Sequence, residues 1–209
     1  GMGAATRLFR FRSGSREFVS VGVPGQVGVL SGMLPAAFSV TINWAPPAAF
    51  PSFDWGPSFL LRHALETCDS YESVVRLLEE TPLSTSVFFT VCGVENGQAC
   101  VVERTPRKAA VRRMTTVALV QANHHVAERF AGNNEQLRVA EPGEEEFSLR
   151  GSGERADLLS SALTRLPPAC SIEDAAGTID AAPVLNRFTC QQVAFLPARG
   201  DVRIWRAGS

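Results

Sequence analysis

Gly25-Gln26-Val27-Gly28-Val29-Leu30-Ser31-Gly32-Met33-Leu34-Pro35, running into Phe38-Ser39-Val40-Thr41-Ile42-Asn43, is the stretch from which the fold is read. Pro24-Gly25 and Ser31-Gly32 break the chain, and Phe38 to Asn43 has the composition of a short strand. Just upstream, Leu8-Phe9-Arg10-Phe11 alternates with period two, and Phe18 to Val23 is rich in valine. The first third of the chain is therefore β structure in short pieces. Downstream, Ala45 to Pro57 is rich in Pro, Phe and Trp, too long and too apolar for a simple turn, and predicts a packed surface loop that lines a pocket.

Two amphipathic helices follow. Pro57-Ser58 leads into Phe59 to Leu65, and Asp69-Ser70-Tyr71-Glu72 opens Val74 to Leu78 with capping chemistry before Thr81-Pro82 stops it. Apolar strands are predicted at Ser86 to Val94, Ala99 to Arg104, Ala109 to Met114 and Thr116 to Gln121, with turns at Glu95-Asn96-Gly97 and Thr105-Pro106-Arg107. Residues 126–151 are charged and glycine-containing and read as a loop; helices are expected at Glu154 to Leu166 and Ile172 to Thr178. Strands Thr189 to Pro197 and Asp201 to Trp205 close the chain. This order, with many antiparallel hairpins, fits α+β layers in a single domain over residues 1–209.

Composition excludes several classes. With 45% hydrophobic and 20% charged residues the chain is an ordinary globular protein, neither disordered nor a coiled coil. A formal charge of -1 supplies no field for nucleic acid, and no apolar run approaches the about 18 to 20 residues of a membrane-spanning helix. Neither a nucleic-acid nor a membrane partner is expected. Of the 20 basic residues only Lys108 is lysine, a skew that points to a GC-rich bacterial genome. Gly1-Met2-Gly3 reads as a tag glycine before an initiator Met, no secretory signal follows it, and a cytoplasmic location is expected. The five cysteines (Cys68, Cys92, Cys100, Cys170, Cys190) show no C-x-x-C spacing and read as reduced thiols.

The common enzyme motifs are absent: no P-loop, dinucleotide fingerprint, G-x-S-x-G or H-E-x-x-H. His124 and His125 are adjacent, so in a strand they would point to opposite faces, and no metal or cofactor site is predicted. The acidic run Glu141 to Glu146 reads as solvated charge. Cys92 and Cys100 sit in apolar strands with no base or cation on their own segment, which favours inert buried thiols.

The spacing of whole blocks is more informative. The Gly25 to Asn43 stretch, Val120-Gln121-Ala122-Asn123-His124, and Ala182-Pro183-Val184-Leu185-Asn186-Arg187-Phe188-Thr189 with the strands that follow occur in an order that resembles the acid ceramidase and N-acylethanolamine acid amidase group. These are relatives of the choloylglycine hydrolases and penicillin acyltransferases among the N-terminal-nucleophile hydrolases. The resemblance spans about residues 18–205 and implies a four-layer αββα sandwich of mostly antiparallel sheets. It implies hydrolysis of a linear acyl-amide C–N bond, with Asn123 near the oxyanion and Arg155, three residues after Ser152, as a second catalytic residue. Arg150 is an alternative to Arg155. Asn43, Trp44, Phe50 and Trp55 would bind the acyl chain of a small-molecule amide, and Gly28 and Gly32 would serve the tight turn.

In that family the nucleophile is the N-terminal Cys of a self-cleaved chain, whose α-amino group, with a pKa of about 7.7 to 8.0, serves as base. Here the first cysteine is Cys68, on a predicted helix, and the family's opening hairpin would precede Arg7. Three readings stay open: a shortened reading frame, a nucleophile on a separate subunit, or a homologue that binds an acyl ligand or protein partner without hydrolysing amides. In each the chain alone is expected to be inactive. Loss of the hairpin would also leave a sheet edge near Glu17 to Val23 or 189–195, which either Leu8 to Arg12 covers in cis or a second subunit pairs with; a homodimer is expected.

Overall fold

In the computed structural model, which describes residues 2–47, 52–137, 148–167, 169–186, 189 and 191–206, the alternating N-terminal segment folds back on the valine-rich one. After a short helix, Met2–Ala5 (α1), Arg7–Ser13 (β1) pairs antiparallel with Arg16–Gly22 (β2), Phe11 opposite Phe18, around Gly14 in the left-handed region at φ 61°. Ser31–Leu34 (β3), Phe38–Trp44 (β4), Val87–Cys92 (β5), Ala99–Arg104 (β6) and Ala109–Arg113 (β7) follow in sequence order, all antiparallel, giving a seven-stranded sheet ordered β1 to β7. Each connection along this meander joins spatial neighbours.

Period-two alternation divides the sheet into two faces. Phe18, Phe38, Val40, Phe89, Val91, Cys100 and Val102 point to one face and form the main core. That core is closed by Pro57–Thr67 (α2), through Leu60, Leu61, Ala64 and Leu65, and by Tyr71–Glu80 (α3), through Tyr71, Val74, Val75 and Leu78. Each leucine so buried contributes about 1.5 to 3 kcal/mol. Ser70 caps α3 reciprocally with Ser73, as the sequence predicts for this helix start. The close approach of α2 explains two glycines. A Cβ on Gly32 would lie 2.5 Å from Leu65 Cδ1, and one on Gly28 2.4 Å from Ser58 Oγ. Their role is helix–sheet proximity, and the left-handed residues of this stretch are Gly25, at φ 90°, and Ala36, at φ 59°.

Helix C-termini leave carbonyls without partners, and the sheet supplies both helices with an arginine. Arg16 of β2 donates to Leu65 O (3.0 Å) and to Cys68 O at the end of α2, and pairs with Asp69 at 2.6 Å. Arg104 of β6, only 1% exposed, donates to Leu78 O and Thr81 O (2.7 Å) at the end of α3, and to Lys108 O (3.3 Å) in the turn between β6 and β7. Burial lowers the Arg104 pKa to about 10, which still leaves it charged at neutral pH.

Beyond β7 the chain crosses the opposite face. Thr116 to Gln121, predicted as a strand, forms no ladder: Val117 is 74% exposed, and the Val120 and Gln121 carbonyls are taken by side chains from β7 and β4. A 3-10 segment, Glu128–Leu137, occupies part of the predicted 126–151 loop; residues 138–147 lie outside the described residues. The helix expected from Glu154 begins earlier, at Leu149–Thr164 (α4), because Ser148 accepts from Gly151 N–H and starts it despite two glycines in the first turns. Ile172–Gly177 (α5) precedes an antiparallel pair, Gln191–Leu196 (β8) and Asp201–Arg206 (β9). This pair joins the large sheet where Ala36 N–H donates to Pro197 O and Thr6 Oγ1 to Gln191 Oε1. The α+β expectation, antiparallel sheets with flanking helices, holds. The edge of β2 near Glu17 to Val23 is covered in cis by β1, with Phe9 and Phe11 on the core side and Arg10 and Arg12 on the other. No helix among the described residues is long and apolar enough to cross a membrane.

Replacing Arg104 with Ala should cost about 2 to 4 kcal/mol, because buried carbonyls at the end of α3 lose their donor. Urea denaturation should show a lower midpoint at unchanged slope.

Candidate functional site

The face of the sheet away from α2 and α3 becomes polar toward the end of β4, where Thr41 stands opposite Thr90 and Asn43 opposite Phe88. Two bonds tie the crossing segment to this end: Asn43 Nδ2 donates to Gln121 O at 3.1 Å, and Asn123 Nδ2 to Trp44 O at 3.0 Å. A third element closes on the same point. Ser152, wholly buried in the first turn of α4, accepts from Asn123 N–H at 2.8 Å and lies 2.9 Å from His124 Nδ1. A hydroxyl has one proton and two lone pairs, so Ser152 accepts from Asn123 N–H and keeps both a donor and an acceptor for the His124 ring. Burial lowers the His124 pKa, in keeping with a neutral ring.

Arg155 lies one helical turn after Ser152 and so on the same face of α4. Its Nη2 donates to Asn123 Oδ1 at 3.0 Å. The Asn123 amide is thereby held at both ends. Among the described residues its second Nδ2 hydrogen has no protein acceptor, and the guanidinium on Oδ1 polarises the amide so that this N–H is the stronger donor. A preoriented donor of this kind is what a developing oxyanion requires.

Beneath this point lies a buried carboxylate. Glu103 of β6 is fully buried and accepts from Arg112 Nε at 2.6 Å, His125 Nδ1 at 3.1 Å, Val126 N–H at 3.1 Å and Ala127 N–H at 3.0 Å. Burial pushes the Glu103 carboxyl up, but the His125 and Arg112 hydrogen bonds, the Arg112 charge and the Ala127 N–H outweigh it and hold the pKa below its usual value. Arg112 also donates to the Gln121 side chain, whose Nε2 reaches His124 O at 2.8 Å. Glu103, Arg112 and Gln121 thus form one chain of bonds leading to the backbone that carries Asn123.

The structure therefore brings Asn43, Trp44, Asn123 and Arg155 together. Arg150, the alternative to Arg155, is exposed and pairs with Glu154. Trp55 is elsewhere: it stacks on His63 of α2 at 5.2 Å, because its loop returns to the helix layer through the Trp55–Leu83 bridge. Phe50 lies outside the described residues. His124 and His125 diverge to Ser152 and Glu103, which explains why two adjacent histidines build nothing jointly. Cys68, Cys92 and Cys100 all have thiols pushed up by burial, and among the described residues none bonds to Asn123 or Arg155. Sequence reasoning missed Glu103 and Arg112. The available signal was an adjacent Glu103-Arg104 pair ending an otherwise apolar strand, where alternation sends the two charges to opposite faces.

Because the folded Glu103 pKa lies below the ordinary 4.5, its stabilisation is complete above that value and is lost as pH falls through the folded pKa. Thermal unfolding followed from pH 7 to pH 3 should show a loss in the wild type that is absent in Glu103→Gln, which should already be less stable at pH 7 by about 3 to 5 kcal/mol.

Residues 10–143 match the family described as acyl-coenzyme A:6-aminopenicillanic acid acyl-transferase. Acid ceramidases of Bos taurus and Homo sapiens are each 28% identical over 109 residues, which is 47% of this chain and 28% of theirs. The chain thus spans little more than a quarter of the length of these curated relatives. A solved structure, the Caenorhabditis elegans N-acylethanolamine-hydrolyzing acid amidase ortholog, superimposes with a TM-score of 0.75 at 19% identity, covering 96% of this chain and 83% of that one. The fold is therefore of N-terminal-nucleophile hydrolase type. By the match over residues 10–143, well over half of its length, the chain belongs to the acyl-coenzyme A:6-aminopenicillanic acid acyl-transferase family.

Proposed function

We propose that this chain carries the acyl-binding and oxyanion part of a linear amide C–N hydrolase, acting in the cytoplasm on a small-molecule acyl amide. The observation that carries the reading is the Asn123 amide, held by Arg155 and Trp44 O with one N–H to spare among the described residues. In amide hydrolysis a nucleophile adds to the carbonyl carbon, charge develops on the carbonyl oxygen, and the amine leaves as the tetrahedral adduct collapses. Asn123 would meet that oxygen, a contribution typically of about 3 to 4 kcal/mol to the transition state. The exposed Trp44 ring beside it offers apolar surface for the acyl chain. The thiols of buried Cys68 and Cys100 and of half-buried Cys92, all pushed up by burial, are poor nucleophiles. On this reading the attacking thiol comes from outside these residues, and the chain by itself binds without turnover. A non-catalytic acyl-binding protein would share this behaviour, and the two separate when a Cys-started segment from the same genome is supplied.

Titration with a fatty-acyl amide should raise the melting temperature without release of amine. Asn123→Ala and Arg155→Ala should each weaken binding several-fold at unchanged fold. Amine release by the chain alone, abolished by Cys92→Ala, would overturn the assignment of the nucleophile. We also expect a homodimer paired through the outer edge of β8, which among the described residues pairs only with β9. Light scattering at high concentration should then give twice the chain mass.

A further inference from the structure

A second concavity lies away from Asn123, between the β6–β7 turn and the 3-10 segment Glu128–Leu137. It has a volume of about 290 Å³ and is lined by Thr105, Pro106, Arg107, Lys108, Arg129, Phe130 and Asn133. Its floor is buried protein, Thr105, Pro106 and Phe130, while Arg107, Lys108 and Arg129 stand exposed at its rim. All three charged lining residues are cations, in a chain whose formal net charge is -1.

The cations are held in different ways. Arg107 pairs with Asp54 at 2.9 Å, so its charge is partly matched. Arg129 donates to Ala109 O at 2.8 Å and lies 5.2 Å from the centroid of the Phe130 ring, two contacts that fix the guanidinium without a carboxylate. The Lys108 ammonium has no carboxylate partner among the described residues. Two cations thus share one concave wall without a counter-charge among the described residues, which costs repulsion unless an anion lies between them. Asn133 adds an amide able to donate to the same anion.

The turn that carries the cations is rigid. Thr105 N–H donates to Lys108 O at 3.0 Å, Leu83 N–H to Pro106 O at 3.0 Å, and Arg104 Nε to Lys108 O at 3.3 Å. The pocket is therefore shaped before any ligand arrives. It is too large for an inorganic anion alone, and its apolar floor accommodates an attached organic group.

From this arrangement we infer that the concavity is a binding site for a phosphomonoester on a small soluble molecule, with Lys108 and Arg129 as the main contacts and Arg107 and Asn133 as auxiliary ones. A dianionic phosphate matches two cations that have no carboxylate partner among the described residues, and a guanidinium fork suits its oxygens. The assignment uses none of the residues around Asn123, so it stands or falls apart from the amide-hydrolase reading.

The test is isothermal titration of the full chain at low ionic strength with glycerol 3-phosphate, inorganic phosphate and glycerol, and flotation with vesicles containing phosphatidic acid. Glycerol 3-phosphate should bind more tightly than inorganic phosphate, glycerol should not bind, and affinity should fall with added salt. The double variant Lys108→Ala, Arg129→Gln should lose at least tenfold, while Arg76→Ala, an exposed cation on α3, should leave affinity unchanged. Circular dichroism should show that both variants keep the fold. Absence of glycerol 3-phosphate binding, equal binding of glycerol, or an equal loss in Arg76→Ala overturns the site. Vesicle binding that follows Lys108 and Arg129 without binding of soluble glycerol 3-phosphate overturns the soluble ligand and assigns the pocket to a lipid headgroup.

Discussion

The carboxylate of Glu103 is the point on which the site side of this protein depends. The segment that crosses the sheet after β7 makes no ladder, so its backbone must find partners among side chains. Glu103 supplies the N–H groups of Val126 and Ala127, and its counter-ion Arg112 supplies the Val120 carbonyl and the Gln121 side chain. One buried charge therefore orders residues on both sides of Asn123. A buried carboxylate is costly on its own, and it survives here because four donors from two parts of the chain, Arg112 of β7 and residues 125–127, converge on it.

The other face of the sheet works by different physics. There the helices are held by apolar burial, and the polar remainder is confined to their C-termini, where Arg16 and Arg104 take up the orphan carbonyls. Glu103 and Arg104 are adjacent in sequence and serve opposite faces. The alternation of a β-strand is enough to send one to the site and one to the helix layer. This economy explains why a charged dipeptide stands at the end of an otherwise apolar central strand.

At Asn123 the segment that crosses the sheet meets β4 and α4. The buried Ser152 hydroxyl and the Arg155 guanidinium, one turn apart, fasten the residue from above, while Trp44 O fastens it from the end of β4. Position and hydrogen-bond direction are thus set by two elements, β4 and α4, distant in sequence from Asn123 and from each other. The family membership and the fold fit this arrangement.

Much of the architecture was legible in the amino-acid sequence by itself, because it rests on local patterns. Period-two runs specified the strands, Ser70 and Pro57 marked helix starts, and the block order pointed to the family. The strand expected at Thr116 to Gln121 failed because β-branched composition signals a half-buried surface and not a ladder partner. The start of α4 was hidden by Gly151 and Gly153, which a cap at Ser148 overrides. Gly28 and Gly32 looked like turn residues because sequence cannot show a helix packed against them. The site was visible only as a resemblance: Asn123 and Arg155 were named, but their contact, the choice against Arg150 and the separation of Trp55 were not. Those depend on residues tens of positions apart meeting at hydrogen-bond distance, and only the tertiary structure decides which distant partners meet.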